Sequence, residues 1–167
     1  GVERTRLDRR TDELIALGAP EDLAVVVAAQ LDAFSLLDIV DLARRSESEP
    51  QEVARLYFTI SERLDVDLLL GRITTLPRPD RWASLARAAL RSDLYAALAG
   101  LTSRVLRGTP SGMAPQDRID TWEAQHAEGV GRARATLSQI AALEHYDIAT
   151  LSVALRAFRT LVAQGAA

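Results

Sequence analysis

The sequence contains no cysteine and no lysine. Without cysteine, disulfides and thiolate metal sites are excluded. Without lysine, all 20 basic residues are arginine, which in so alanine-rich a chain fits a GC-rich genome better than selection for an anion site. Histidine occurs only at His126 and His145, and aromatic residues make up 5% of the chain. No apolar run approaches the roughly 20 residues that span a bilayer. A signal-peptide pattern is missing from the polar, charged start. A cytoplasmic address is therefore expected. The formal net charge of −3 gives no electrostatic reason for nucleic acid or an anionic membrane as partner. Gly1 in place of methionine suggests a segment cut from a longer protein.

What is present reads as helix. The 167 residues, 48% hydrophobic and 26% charged, have the balance of an ordinary globular domain with a real core. Pro77 and Pro79 forbid a helix before Asp80, which can cap a new one. From there Trp82, Ala86, Leu90, Leu94, Leu98, Leu101 and Val105 recur every three or four residues. This predicts a helix of about seven turns over 80–107, the longest or nearly so, around which the rest packs.

Upstream, VERTRLDRRTDELIALG makes an amphipathic helix with Leu7, Leu14, Ile15 and Leu17, stopped by Gly18. Pro20 starts the next, with Leu23, Val26, Val27 and Leu31 facing inward. Ser35 is expected to cap a short, central helix, LLDIVDLARR, apolar nearly all round. Pro50 opens a helix through Val53, Leu56, Tyr57, Ile60 and Leu64; Asp65 caps VDLLLGRITTL. GTPSGMAP over 108–115 reads as a hinge or linker. Gln116 to Glu144 reads as a helix interrupted or weakened at Gly129 and Gly131, and Asp147 caps a last helix with Ile148, Leu151, Leu155, Phe158 and Val162 on one face. No segment alternates with period two and no fixed repeat is visible. The expected fold is an all-α multi-helix bundle of about seven or eight helices. Its parts are a bundle over 1–107, the linker over 108–115, and a helical hairpin over 116–167 packed on the same domain. The core should include Val40, Leu56, Trp82, Leu90, Leu94 and Leu98.

Motifs of chemistry are sparse. Neither histidine has the company on a helix face that a metal needs. GVGRAR lacks the preceding strand and third glycine of a dinucleotide loop, and no nucleophile elbow or phosphate-binding P-loop occurs. Arg87 and Arg91 lie one turn apart, where like charges repel, and no acid stands at complementary spacing. Asp38, in an apolar helix, is the expected partner of one of them across an interhelical salt bridge. Asp41 can pair locally with Arg45. Trp82 and Trp122 read as core anchors, with a cation–π contact from Arg78 or Arg81 open to Trp82.

Three blocks, LLDIVDLA, VARLYFTISERLDVDLL and LPRPDRWASLARAALRSDLY, occur in the order found in the C-terminal region of the large bacterial NAD-specific glutamate dehydrogenases. The chain resembles that family from about Leu36 to Arg107, and only generally outside it. The resemblance implies an enzyme that oxidatively deaminates L-glutamate to 2-oxoglutarate and ammonia, with an upstream glutamate-binding core and a Rossmann-type NAD domain. It implies NAD in the full-length enzyme and none in this chain. The family's chemistry needs a lysine near the substrate, so no catalytic, cofactor-binding or metal residue carries over and the fragment alone should be inactive. A structural, assembly or regulatory role follows, with other domains of the same polypeptide as partners and a homo-oligomer of the full-length enzyme expected. Two rivals stand beside it. One is a free-standing helical enzyme of chorismate-mutase type using Arg55, Arg87 and Arg91; the other is an unrelated helical adaptor.

Overall fold

Proline sets where several helices begin and end. Pro50 and Pro115 each occupy the first turn of a helix, where a missing N–H costs nothing. Pro77 holds Leu76 at φ −54, ψ 135 and so ends the helix before it. The computed structural model describes residues 11–12, 15–16, 21–77 and 81–163, the side chains of 22–34 excepted. Among the described residues, seven helices follow one another: α1 Glu21–Ser46, α2 Pro50–Arg63, α3 Val66–Thr75, α4 Arg81–Gly108, α5 Pro115–Gln125, α6 Ala127–Ala141 and α7 Ile148–Ala163. Residues 11–12 and 15–16 are helical as well. The described residues contain no strand, and the fold is an all-α bundle. Among them no helix is long and apolar enough to cross a membrane. The expected stop at Gly18, start at Pro20, inward face of Leu23 to Leu31, and cap at Asp80 lie outside the described residues, as do Leu7, Leu14, Leu17 and Arg78.

Helix α4 is the axis. At 28 residues it is the longest described helix, and it packs against α1, α2, α3, α5 and α7. Leu90, Leu94, Leu98, Leu101 and Val105 bury at 7% exposure or less, against Val53, Leu56, Tyr57 and Ile60 of α2 and Leu151, Leu155, Phe158 and Leu161 of α7. Gly100 lets α7 close in: a Cβ there would stand 3.0 Å from Val162 Cγ1. Helices α5 and α6 contribute Ile119, Trp122, Val130, Leu137 and Ile140 to the same core. The 108–115 segment is held from both sides. Thr109 Oγ1 donates to the Val105 carbonyl at 2.6 Å, and Arg118 Nη2 donates to that of Pro110 at 2.7 Å.

Five expectations are corrected. Ser35 does not start a helix: α1 runs unbroken past it, since no proline or glycine interrupts 21–46, and Ser35 is buried at 1% exposure. Val40 is 63% exposed, because α1 turns Ile39, Leu42 and Ala43 inward instead. Trp82 is 77% exposed and Leu85 51%; the stripe on α4 is covered only from Leu90 onward. Asp65 precedes α3 at φ 50 without a side-chain capping bond, a left-handed conformation that aspartate tolerates. The break between α5 and α6 falls at His126, φ −125, and not at Gly129 or Gly131, which α6 absorbs at about 1 kcal/mol apiece relative to alanine.

Candidate functional site

Asp38 and Tyr57 form the polar contact at the α1–α2 seam. Tyr57, 1% exposed, donates its hydroxyl to Asp38 Oδ2 at 3.1 Å. Burial raises the Asp38 pKa above the usual carboxylate range, and the Tyr57 bond only partly offsets it. Burial, then the Asp38 charge, push the phenol well above its ordinary value. Ser35 bonds to the same phenol, which accounts for a serine in the middle of α1. Among the described residues, the ion pairs do not join Asp38 to Arg87 or Arg91. Arg87 Nη1 instead donates to the Thr74 carbonyl at 2.6 Å, satisfying the C-terminal end of α3. Arg91 is half-buried on the same helix, and Arg55 is exposed on α2. The local pair Asp41–Arg45 is present at the exposed end of α1.

A charged network joins α2, α5 and α6. Arg63 Nη2 pairs with Asp120 and, at 3.0 Å, with Glu123; Glu123 also pairs with Arg134. The hydrogen bond that Arg63 donates to Glu123 is the largest of the influences that raise the Arg63 pKa. Beside the network lies an open groove of about 440 Å3, lined by Arg63, Leu69, Arg134, Leu137 and Ser138 among others. Both of its arginines are committed to Glu123, and Asp65 stands at its wall. The lining thus mixes leucines with these charged groups.

Two further arginines were not singled out in the sequence. Arg72, 8% exposed, donates to the carbonyls of Ile140 and Ala141, each at 2.5 Å, and lies 4.9 Å from the Tyr146 ring centroid. It thereby closes the C-terminus of α6 from α3. Its signal was an arginine inside the apolar run LLLGRITTL. Arg118, 2% exposed, pairs with Glu52 at 2.7 Å and leaves Nε and Nη1 without protein partners. The two histidines lie apart from these networks. His126 stacks on Trp122 with ring centroids 4.7 Å apart, and His145 is exposed in the α6–α7 connection. Among the described residues, no group of three or more histidine, aspartate or glutamate side chains is placed to hold a metal ion. The arrangement is chemically one of interhelical ties, in which Arg63, Arg72, Arg87, Arg118 and Arg134 each reach a carbonyl or a carboxylate of another helix.

The model of the family described as glutamate dehydrogenase, C-terminal, matches residues 1–160. The chain is similar to the NAD-specific glutamate dehydrogenase of Mycobacterium tuberculosis, 42% identical over 161 residues, which are 96% of this chain and 10% of that protein. The NAD-specific glutamate dehydrogenase of Pseudomonas aeruginosa is 33% identical over 156 residues, 93% of this chain and 10% of that protein. That of Halomonas elongata is 29% identical over 156 residues, again 93% and 10%. The chain spans about a tenth of the length of the curated relatives it matches.

Proposed function

This chain belongs to the glutamate dehydrogenase C-terminal family, and from that membership we propose that it is a non-catalytic helical domain of a large NAD-dependent glutamate dehydrogenase. The enzyme as a whole would oxidise L-glutamate to 2-oxoglutarate and ammonia in the cytoplasm, using NAD bound elsewhere in the polypeptide. The domain's part is structural, assembling or regulatory, with the other domains of the same polypeptide as its partners and a homo-oligomer as the setting.

One observation carries this reading: the family match runs through nearly the whole chain, yet accounts for only a tenth of each relative. Two features support the non-catalytic part. The chain has no lysine to serve as the substrate-side amine that the chemistry of the family calls for. The buried polar side chains Arg72 and Tyr57 are engaged with other helices, where they hold the bundle together. The test is to titrate NAD into the 167-residue chain by calorimetry and to assay glutamate-dependent NADH formation. Neither binding nor turnover is expected. Turnover by the chain alone would overturn the reading.

A further inference from the structure

Helix α1 is apolar on two sides between residues 36 and 43, and among the described residues one of them is buried while the other stands exposed. Ile39, Leu42 and Ala43 face the core at 5% exposure or less. Leu36, Leu37 and Val40, spaced i, i+1, i+4 and so on one face of the helix, are 51%, 68% and 63% exposed. A helix apolar nearly all round belongs inside a larger body. The first turns of α4, a helix that packs on α1, repeat the pattern: Trp82 and Leu85, at i and i+3, stand 77% and 51% exposed. Single exposed leucines need no explanation, whereas grouped large apolar side chains mark a surface that something covers. The exposed ion pairs of Asp41 with Arg44 and Arg45 mark where the α1 face gives way to water.

We propose that the Leu36–Leu37–Val40 face of α1, with the Trp82–Leu85 face of α4, docks against the remainder of the same polypeptide in the full-length dehydrogenase. This rests on the reading above, that the chain is a domain of such an enzyme. The choice of occupant follows from tethering. In the relatives, nine-tenths of the chain lies outside the matched tenth. A covalently linked surface is presented at an effective concentration on the order of millimolar, which a free copy or a separate protein does not reach. Apolar area without steering charge suits a permanent, intramolecular contact of this kind.

The test uses the full-length enzyme with a photoreactive benzoylphenylalanine placed at Val40 or at Trp82, and a control at Arg132, an exposed position on α6. After irradiation, denaturing electrophoresis separates single-chain from two-chain products, and mass spectrometry maps the joined peptides. The expected result is a product of single-chain mass linking Val40 and Trp82 to residues outside this 167-residue chain, at least several-fold above the Arg132 control. Yields equal to that control, or products of two-chain mass alone, would reject the proposal. As a second readout, Leu37→Glu should lower the melting temperature of the full-length enzyme while Leu143→Glu, at another exposed leucine, leaves it in place; equal effects count against the docking. The parent reading fails separately, by glutamate turnover in the isolated chain, so the two failures are told apart.

Discussion

Asp38 sits half-buried on α1 with its pKa raised above 3.8, chiefly by burial. Asp41 reinforces the rise, while Tyr57 and Arg45 oppose it. A carboxylate whose folded pKa exceeds its unfolded one costs stability when it ionises. The cost is absent below 3.8, grows as pH rises from there through the raised folded value, and is constant above it. Asp38→Asn should therefore gain on the parent protein across that window in urea melts taken at a series of pH values. Parallel stability curves would contradict the account. Tyr57→Phe keeps the ring and removes the donor from the Asp38 carboxylate, so it should cost about 1–3 kcal/mol. Leu94, 1% exposed, lies on the buried side of α4, and Leu94→Ala should cost about 2–5 kcal/mol in the same melts.

Between residues and fold, the helices are fixed by their ends. Asp147 Oδ1 accepts the Thr150 backbone N–H at 2.8 Å at the start of α7, and the backbone and side-chain bonds from Thr150 lower its pKa below 3.8. Its contribution is present above 3.8 and lost as pH falls through the lower folded value. Asp147→Ala should lower stability at neutral pH and leave a shallower loss on the acid side, read by thermal melts across that range. At the C-terminal end of α6, Arg72→Ala leaves the Ile140 and Ala141 carbonyls without their donor, for a loss of about 1–3 kcal/mol; a change near zero would show that water replaces the guanidinium. Such ends were partly legible in the sequence. Pro50 and Asp147 announce themselves through φ, the missing N–H and the short acceptor side chain, while Pro115, which ends the linker in the sequence reading, stands in the first turn of α5. The phase of an apolar-all-round segment does not: nothing local tells Ile39 from Val40, and only the packing of α1 on its neighbours does. The same limit hid Tyr57 from Asp38, which lies 19 residues away, and it hid the Thr74 carbonyl to which Arg87 donates. Ser35 read as a cap because serine favours caps, and here a tertiary bond to Tyr57 overrides that preference.

At the level of the whole molecule, one long helix carries the domain. Its stripe is buried from Leu90 to Val105 but open at Trp82 and Leu85, so the spine serves both as core and as surface. The all-helical class and the position of that spine follow from periodicity and proline placement, and the family follows from ordered blocks of sequence. On the proposed reading, what this chain offers to the rest of the enzyme is its surfaces. The decisive comparison sets the full-length dehydrogenase against the same enzyme lacking this segment, with oligomeric size, thermal stability and glutamate-dependent NADH formation measured on both. The account predicts altered assembly, a lower melting temperature or changed regulation in the truncated enzyme, because covering surfaces and interhelical ties have been removed while the chemistry is built elsewhere. Identical size, stability and kinetics would contradict it.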